Sequence, residues 1–533
     1  MKGLVGMDMN DWSLKGCSPR PEQVGIIDEI HEAISCGFTD IILEAGTGIG
    51  KSAIATTVAN GIEGSSYILT MTKQLQNQYL QDFEYMVSEI KGRGNYHCNY
   101  HGSCEECYVQ NHNDVSDEKL RICNDCEYKL ALLEAQESKI ILTNYDYMWY
   151  AGNYTDNWNK RELLVLDETH NFEKKIMGLI SDSLNRRTVY KEYNFDIFYP
   201  VMQGEPLKSI DNPEYWCGVL EKLCETINNQ ITYSTMAKNK NERLIERYSE
   251  LIRYLQKEDW IIELPTKETI LHDDSYKSLK RFHGLTVNFK PLMIKDYSKD
   301  LLGFGEIRLF LTGTLGNKQR FCHWNGVDED YAYYIFQKSS FPVEHRPIIK
   351  NYVGNMSGFK NNVPNWQNNK ALVAIKQIIK KHRHEKGVIH TSSNQQAWWI
   401  KKNLDSKSVW VAYGASREQT IDSFENTTRP TVLIGAGIKD GVDFKGDKCR
   451  YQIIFKMPKP SIASKQTIIR AKKDPVWYAY QTVMPLMQSY GRGIRDNDDY
   501  CKTYVLDSEF EKLLNNHKDL FNEYFLEAIT CEA

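Results

Sequence analysis

No run of apolar residues in this 533-residue chain approaches the roughly 18 needed to cross a bilayer. The N-terminus, MKGLVGMDMNDWSLKG, also lacks the apolar stretch of a secretory signal. Neither a membrane-spanning helix nor secretion is expected, and the reading is of an intracellular, cytoplasmic protein (a host's cytoplasm, were the chain viral). A basic surplus is missing as well: 66 Lys and Arg stand against 70 Asp and Glu, a formal charge of −4. This disfavours a protein that coats nucleic acid by charge alone, but not an enzyme with a locally basic channel. There is no short internal repeat and no low-complexity tail.

Hydrophobic residues make up 41% of the chain and charged ones 26%, ordinary values for large buried cores. At about 150 residues per domain there is room for roughly three or four domains. Thirteen cysteines would suggest disulfides in a small secreted chain. In a long chain without a signal, clustered cysteines point instead to metal or redox chemistry. Five of them crowd one stretch: Cys98, Cys104, Cys107, Cys123 and Cys126.

Short apolar runs bounded by turn residues recur at Asp40–Glu44, Tyr67–Thr70, Lys139–Thr143, Leu163–Leu166 and Ile307–Thr312. Such runs suit a parallel sheet covered on both faces. Between Phe172 and Gly305 polar, helical sequence dominates, which reads as an insertion. A second α/β series follows, through Gly387–His390, Val409–Ala412, Thr431–Ile434, Tyr451–Phe455 and Thr503–Leu506.

Ala45-Gly46-Thr47-Gly48-Ile49-Gly50-Lys51-Ser52 fits a phosphate loop, with alanine in place of the usual first glycine. Small residues at Gly46, Thr47, Gly48 and Gly50 let backbone N–H groups approach phosphates, and the following helix presents its N-terminus to negative charge. Lys51 can reach the β- and γ-phosphates of ATP, and the Ser52 hydroxyl can hold Mg2+. The strand Leu163–Leu166 ends in Asp167-Glu168. Asp167 can bind Mg2+ and Glu168 can orient the attacking water and accept its proton. Near the C-terminus Gln488-Ser489-Tyr490-Gly491-Arg492-Gly493-Ile494-Arg495 carries two arginines three apart, on one face if helical. Arg492 and Arg495 suit charge developing on a transferred phosphoryl group.

Taken in order, these motifs make the chain resemble the XPD/DinG family of superfamily 2 helicases over nearly its whole length. Arg20-Pro21-Glu22-Gln23 resembles the adenine-side element, which implies nucleotide contacts for Arg20 and Gln23. Thr70 to Gln78 resembles a DNA-contacting motif, Lys91 to Cys98 the entry to an iron–sulfur insertion, Asp167-Glu168-Thr169-His170 a varied DEAH box, and Leu311 to Leu315 the coupling motif. His390-Thr391-Ser392-Ser393, Gly437 to Phe444 and the run from Gln488 to Arg495, with Asp499 and Asp507 downstream, are similar to motifs of the second domain. The resemblance adds Gln488 to the catalytic set and Asp443 to the nucleotide-binding set. It implies DNA contacts for Thr72, Lys73, Thr391 and Ser392.

The implied fold is α/β: two RecA-like parallel-sheet domains, the first interrupted by an iron–sulfur insertion and a mostly helical arch. The expected boundaries are 1–90, 139–175 and 305–318 for the first domain, 91–138 for the cluster insertion, 176–304 for the arch and 319–533 for the second domain. The implied activity is ATP-dependent 5′-to-3′ movement on single-stranded DNA with strand separation at the cluster. Expected partners are single-stranded DNA, forked or tailed duplex and an RNA–DNA hybrid, with no membrane and a monomeric enzyme. Some relatives carry a nuclease domain; about twenty residues precede Arg20 here, so none is expected.

Cysteine spacing alone leaves two metals open. Cys104-Glu105-Glu106-Cys107 and Cys123-Asn124-Asp125-Cys126 have the spacing of a zinc module. The resemblance implies a [4Fe–4S] cluster on Cys98, Cys104, Cys107 and Cys126, with Cys123 surplus. Aromatic residues flank both regions (Tyr96, Tyr100, Tyr108, Trp149 and Tyr150; Trp477 and Tyr478) as candidates for base stacking. Two other functions stay open: a DNA-stimulated ATPase that translocates with little unwinding, and a non-hydrolysing nucleotide-switch scaffold on DNA.

Overall fold

The structure is a computed structural model that describes residues 12–46, 48–98, 103–104, 126–202, 210–230, 235–257, 260–264, 285–338, 341–438, 444, 446–462, 464–494 and 498–530. Strands β1 (Asp40–Ala45), β2 (Ser66–Thr70), β3 (Ser88–Glu89), β4 (Ile140–Asn144) and β5 (Arg161–Leu166) precede the expected arch insertion. Within that insertion lie β6 (Asp182–Asn185), β7 (Trp260–Glu263) and β8 (Thr286–Pro291). Two more strands, β9 (Gly305–Thr312) and β10 (Ala332–Gln337), complete a seven-stranded sheet of order β10-β1-β9-β5-β2-β4-β3. Every pairing in it is parallel.

Strict alternation along these strands makes two cores. Ile42, Tyr67, Leu69, Ile141, Leu164 and Leu166 pack on one face. Their neighbours Ile41, Leu43, Ile68, Leu142, Leu163 and Val165 pack on the other. The second face is covered by helices α1 (Pro21–Ser35), α2 (Lys51–Gly61) and α3 (Lys73–Phe83), which contribute Ile26, Ile30, Ile54, Val58 and Tyr79. Two covered faces are why these strands read as unbroken apolar runs.

The first sheet takes two strands more than expected, the two-residue β3 and β10 at its opposite edges. Strand β10 pairs with β1 from Asp40↔Ala332 to Ala45↔Gln337, so the first domain extends past the boundary placed at 318. As an edge strand it buries only Ala332 and Ile335, and two adjacent tyrosines stand where its neighbours carry aliphatic residues. The insertion also holds more strand than its sequence suggests. β6, β8 and β7 form an antiparallel sheet. Helix α4 (Phe172–Ile180) leads into it, and helices α5 (Pro213–Asn228) and α6 (Thr235–Leu255) pack beside it. Trp216 of α5 is wholly buried, edge-on to Phe198 and Phe289, and donates its indole N–H to the Ile210 carbonyl at 2.8 Å.

The second domain is another seven-stranded parallel sheet. Its strands are β11 (Ile348–Gly354), β14 (Gly387–Thr391), β15 (Val409–Val411), β16 (Val432–Ala436), β17 (Tyr451–Ile454), β18 (Lys502–Asp507) and β19 (Ile529–Thr530). Its order is β15-β16-β14-β17-β18-β11-β19, while β12 (Phe359–Lys360) and β13 (Val363–Pro364) form a separate hairpin. The two parallel sheets bear out the α/β, two-domain expectation. No helix among the described residues is long and apolar enough to cross a membrane.

Helices α7 (Lys465–Lys473) and α8 (Pro475–Tyr490) of the second domain lean on the insertion and on α4. The Glu173 carboxylate of α4 accepts the indole N–H of Trp477 at 2.9 Å and the amide of Gln481 at 3.0 Å, and it is ion-paired to Arg470. The Arg470 guanidinium lies 4.1 Å over the Trp477 ring and donates to the Leu292 carbonyl at 3.1 Å. Both charges are buried, and desolvation raises the Glu173 pKa despite the arginine. Glu173→Gln therefore leaves a buried guanidinium without its counter-charge, at a cost of about 3–5 kcal/mol. The first transition in denaturant-induced unfolding should move down accordingly, and a shift below about 1 kcal/mol would contradict this account.

Candidate nucleotide site and nucleic-acid interface

The phosphate loop joins β1 to α2 at the C-terminal edge of the first sheet. Gly50 caps α2 with φ +81°, and a Cβ there would stand 2.6 Å from the Gln23 amide nitrogen. Glycine is required on both counts. Gln23 itself donates to the Ile49 carbonyl at 2.8 Å, and Arg20 donates to the Gly48 carbonyl at 2.6 Å. Gln23 also accepts the Arg20 backbone N–H at 2.8 Å. The two residues expected beside the adenine thus brace the loop from outside. Lys51 points back along it, with Nζ 3.0 Å from the Ala45 carbonyl and 3.4 Å from that of Gly46.

Strand β5 delivers Asp167 to the same edge. One carboxylate oxygen accepts the Glu168 backbone N–H at 2.8 Å, the other the Tyr79 hydroxyl at 3.1 Å, and the Asp167 carbonyl accepts the Tyr145 hydroxyl at 3.0 Å. Burial, then the neighbouring Glu168 charge, lifts the Asp167 pKa to about 7, against the pull of Lys51. A carboxylate in that state favours a cation beside it. Ser52 and Asp167 together offer hydroxyl and carboxylate oxygens, the hard donors that suit Mg2+.

Glu168 sits in the left-handed region at φ +54°, an uncommon conformation for a side chain of this kind. Its carboxylate lies 3.1 Å from His170 Nδ1, and that nitrogen is 3.4 Å from the Thr312 hydroxyl. The Asn171 amide lies 2.7 Å from His170 Nε2. With Asn171 donating, the ring proton is assigned to Nδ1, facing Glu168. The Thr169 hydroxyl donates to the Leu311 carbonyl at 3.1 Å, and the Thr312 hydroxyl to that of Thr314 at 2.8 Å. The 167–170 and 311–315 segments are therefore one hydrogen-bonded unit, and a Cβ on Gly313 would lie 3.8 Å from Lys51 Nζ.

From the second domain, Gln488 occupies the last turn of α8. Arg492 lies beyond α8, which ends at Tyr490, so the helical condition for a shared face is not met at Arg492. The chain turns through Gly491 and Gly493, and a Cβ on Gly493 would come 2.5 Å from Cys501 Sγ. Thr47, Asp443 and Arg495 lie outside the described residues. Asp499 and Asp507 are structural. Asp499 accepts from Arg450 at 2.6 Å and from the Gly446 N–H at 3.1 Å. Asp507 accepts the backbone N–H groups of Met356, Met457 and Glu509.

The expected DNA-contacting residues sit at the C-terminal ends of strands in both sheets. Thr72 caps α3 by accepting the Leu75 N–H at 3.2 Å, and exposed Lys73 reaches Asn95 at 2.6 Å. Thr391 closes β14 with its hydroxyl on the Ser393 carbonyl at 3.1 Å, and Ser392 donates to the Met457 carbonyl at 3.3 Å. Among the aromatic candidates, Trp149 and Trp477 are buried core residues, whereas Tyr150 is exposed and stacks on Tyr154.

Of the cysteine cluster, Cys98, Cys104 and Cys126 are described; Cys107 and Cys123 lie outside the described residues. Cys104 and Cys126 place their sulfurs 3.7 Å apart, and Cys104 also contacts the His97 carbonyl at 3.2 Å. Burial, then Cys126, pushes the Cys104 thiol up to about 12. Paired thiolates there would need a cation between them. Among the described residues no group of three or more His, Cys, Asp or Glu is arranged to hold a metal.

Two side chains outside the motifs belong to this site. Tyr79 follows the quoted 70–78 motif by one position. Glu44 is a carboxylate within the apolar β1 run, the one visible sign of a special role. Buried beneath the loop, it accepts from Tyr334 at 2.6 Å and from Asn522 of the second domain at 2.9 Å.

Family models match two stretches: the type III restriction enzyme res subunit over residues 16–194 and a helicase C-terminal domain over residues 375–525. A curated relative, a probable ATP-dependent helicase of Methanocaldococcus jannaschii, is 21% identical across 92% of each chain. Among solved structures, an XPD helicase has a TM-score of 0.63 at 17% identity, covering 96% of this chain and 99% of its own. Xpd4 of S. tokodaii reaches 0.56 at 15% identity, covering 96% of this chain and all (100%) of its own. In fold and in these matches the chain is similar to XPD-type helicases. The helicase C-terminal domain match and the helicase relative support an ATP-hydrolysing helicase, and the loop, the Asp-Glu pair and the 311–315 segment lie together at one edge of the first sheet.

Gly50→Ala tests the loop geometry. It should weaken ADP binding at least about tenfold, since the left-handed backbone and the Gln23 contact both oppose a Cβ. Isothermal titration would check this, and wild-type affinity would show that the loop does not need the observed turn.

Proposed function

We propose that the protein is an ATP-dependent helicase that moves 5′-to-3′ along single-stranded DNA and parts duplex at a cysteine-ligated [4Fe–4S] insertion. The observation that carries this reading is the joining of Asp167, Glu168, His170 and Thr312 in one hydrogen-bonded unit beside Lys51. A few residues on, Glu173 is tied to the helix whose last turn holds Gln488. Lys51 would hold the β- and γ-phosphates. Ser52 and Asp167 would hold Mg2+, which supplies positive charge against the phosphates. Glu168 would take the proton of the attacking water, and Arg492, with Arg495, would meet the phosphates when the domains close. Thr72 and Lys73 on one domain and Thr391 and Ser392 on the other would grip the strand alternately, so that opening and closing advance it.

The cluster reading is supported by the close approach of Cys104 and Cys126 beside Cys98, with Cys107 as the fourth ligand and zinc as the competing metal. Contact between Lys73 and Asn95 puts a strand-gripping residue against the segment leading into that insertion. A fork junction would meet the cluster there.

Strand separation on 5′-tailed, 3′-tailed and hybrid substrates, with and without ATP, tests the whole reading. Unwinding should require ATP and a 5′ tail, and Lys51→Ala should lower DNA-stimulated hydrolysis by at least about a hundredfold. Preference for the 3′ tail, or unchanged turnover in that variant, would sink it.

Anaerobically purified protein should be brown and hold about four irons per chain. Cys126→Ser should lose that iron and the unwinding while the second domain stays folded. One zinc per chain and no colour would refute the iron assignment.

A further inference from the structure

Asp167 is held by a residue that none of the motifs includes. The Tyr79 ring is buried in the core under the first sheet, tilted against Phe83 at 6.1 Å, and its hydroxyl reaches out of that core to the Asp167 carboxylate at 3.1 Å. A phenol has one proton to give, and here Asp167 accepts it. Ser52, the other residue suited to a hard divalent cation, stands in the first turn of α2 at the same edge. The carboxylate is fixed on its other side by the Glu168 N–H at 2.8 Å, and each of its oxygens keeps a lone pair for a cation.

Tyr79 stands on the second turn of α3, whose first residue is Lys73 and whose cap is Thr72. Gln76 ties the helix to the Ile90 carbonyl and to Asn144, Tyr79 ties it to Asp167, and a helix moves as a rigid rod over so short a span. A shift at its N-terminus is thus carried to the phenol, and from the phenol to the Asp167 carboxylate. We propose that Tyr79 is a positioning residue through which the divalent-cation site senses nucleic acid at the start of α3. The proposal rests on the reading that Thr72 and Lys73 contact the strand.

Tyr79→Phe retains the ring and removes only the hydroxyl. Mn2+ binding in the presence of ADP, followed by electron paramagnetic resonance, needs no turnover and reads the site directly. For the wild type, a single-stranded oligonucleotide should tighten Mn2+ binding, and by linkage Mn2+–ADP should tighten oligonucleotide binding by the same factor. In Tyr79→Phe, Mn2+ affinity should fall about ten- to a hundredfold, as for other outer partners of a metal-bound carboxylate. The coupling factor should fall to one. Thermal unfolding of the variant verifies that the fold is kept. Tyr145→Phe serves as the comparison: it removes a hydroxyl from the Asp167 carbonyl rather than from its carboxylate, and should leave the coupling in place.

Unchanged coupling in Tyr79→Phe overturns the proposal, whatever happens to Mn2+ affinity. Equal loss of coupling in both variants overturns it too, because any disturbance of Asp167 would then suffice. If wild-type protein binds no oligonucleotide, the strand-contact reading has failed and this proposal goes with it.

Discussion

A buried carboxylate with three partners from another domain holds this molecule in its observed arrangement. Glu173 would be costly to bury alone, since removing a charge from water carries a penalty of several kcal/mol. Here Arg470 supplies the counter-charge, and Trp477 and Gln481 take the remaining acceptor positions on one oxygen. Each partner sits on α7 or α8 of the second domain, while Glu173 belongs to the helix that follows the Asp-Glu pair of the first. Remove any one of these groups and another is left buried without its match. The contact is specific because its parts are useless singly.

A second tie of the same kind lies under the phosphate loop. Glu44 is buried and its pKa is raised by desolvation, yet it gathers Tyr334 and Asn522. Gly316, at φ +80°, lies so close to Leu520 that a Cβ would meet its carbonyl at 2.4 Å. The end of the second domain therefore abuts the 311–315 segment and the base of the phosphate loop together. Hydrogen bonds and ion pairs can exchange their partners for water, which an interface of interlocked apolar side chains cannot do without exposing its core. Both joints fit a cleft that opens and closes.

What the sequence revealed follows from how each element is buried. The central strands of both sheets were legible because helices cover both faces, so most positions are apolar. β8 was not, because Thr-Val-Asn-Phe-Lys-Pro buries only Val287, Phe289 and Pro291, leaving polar residues between them. β10 hid because it buries only Ala332 and Ile335, with tyrosines half-exposed along its edge. Motif residues that act through local backbone, such as Gly50 and Lys51, could be placed from spacing alone. Tyr79 and Glu173 could not, since their meaning lies in what stands opposite in space: Asp167 is 88 residues from Tyr79 in the chain, and Trp477 is 304 residues from Glu173. Arg492 lies off the helix for a local reason, because two glycines after Tyr490 allow the chain to leave the helix and back onto Cys501.

The segment from Asp167 to Glu173 shows why chemistry and domain contact are hard to separate here. At one end a carboxylate is braced by Tyr79 and by its own neighbour's N–H; at the other a carboxylate is fixed to the second domain. Between them Glu168 holds an unfavourable backbone angle, and a single tight turn over Thr169–Asn171 leads directly into α4. No flexible linker intervenes. Displacing Asp167 must either twist that turn or move α4, and moving α4 strains the Glu173 contacts. The left-handed conformation at Glu168 persists because the surroundings on both sides impose it. A change at the phosphate end is thus felt at the domain joint through seven covalently linked residues and needs no longer route.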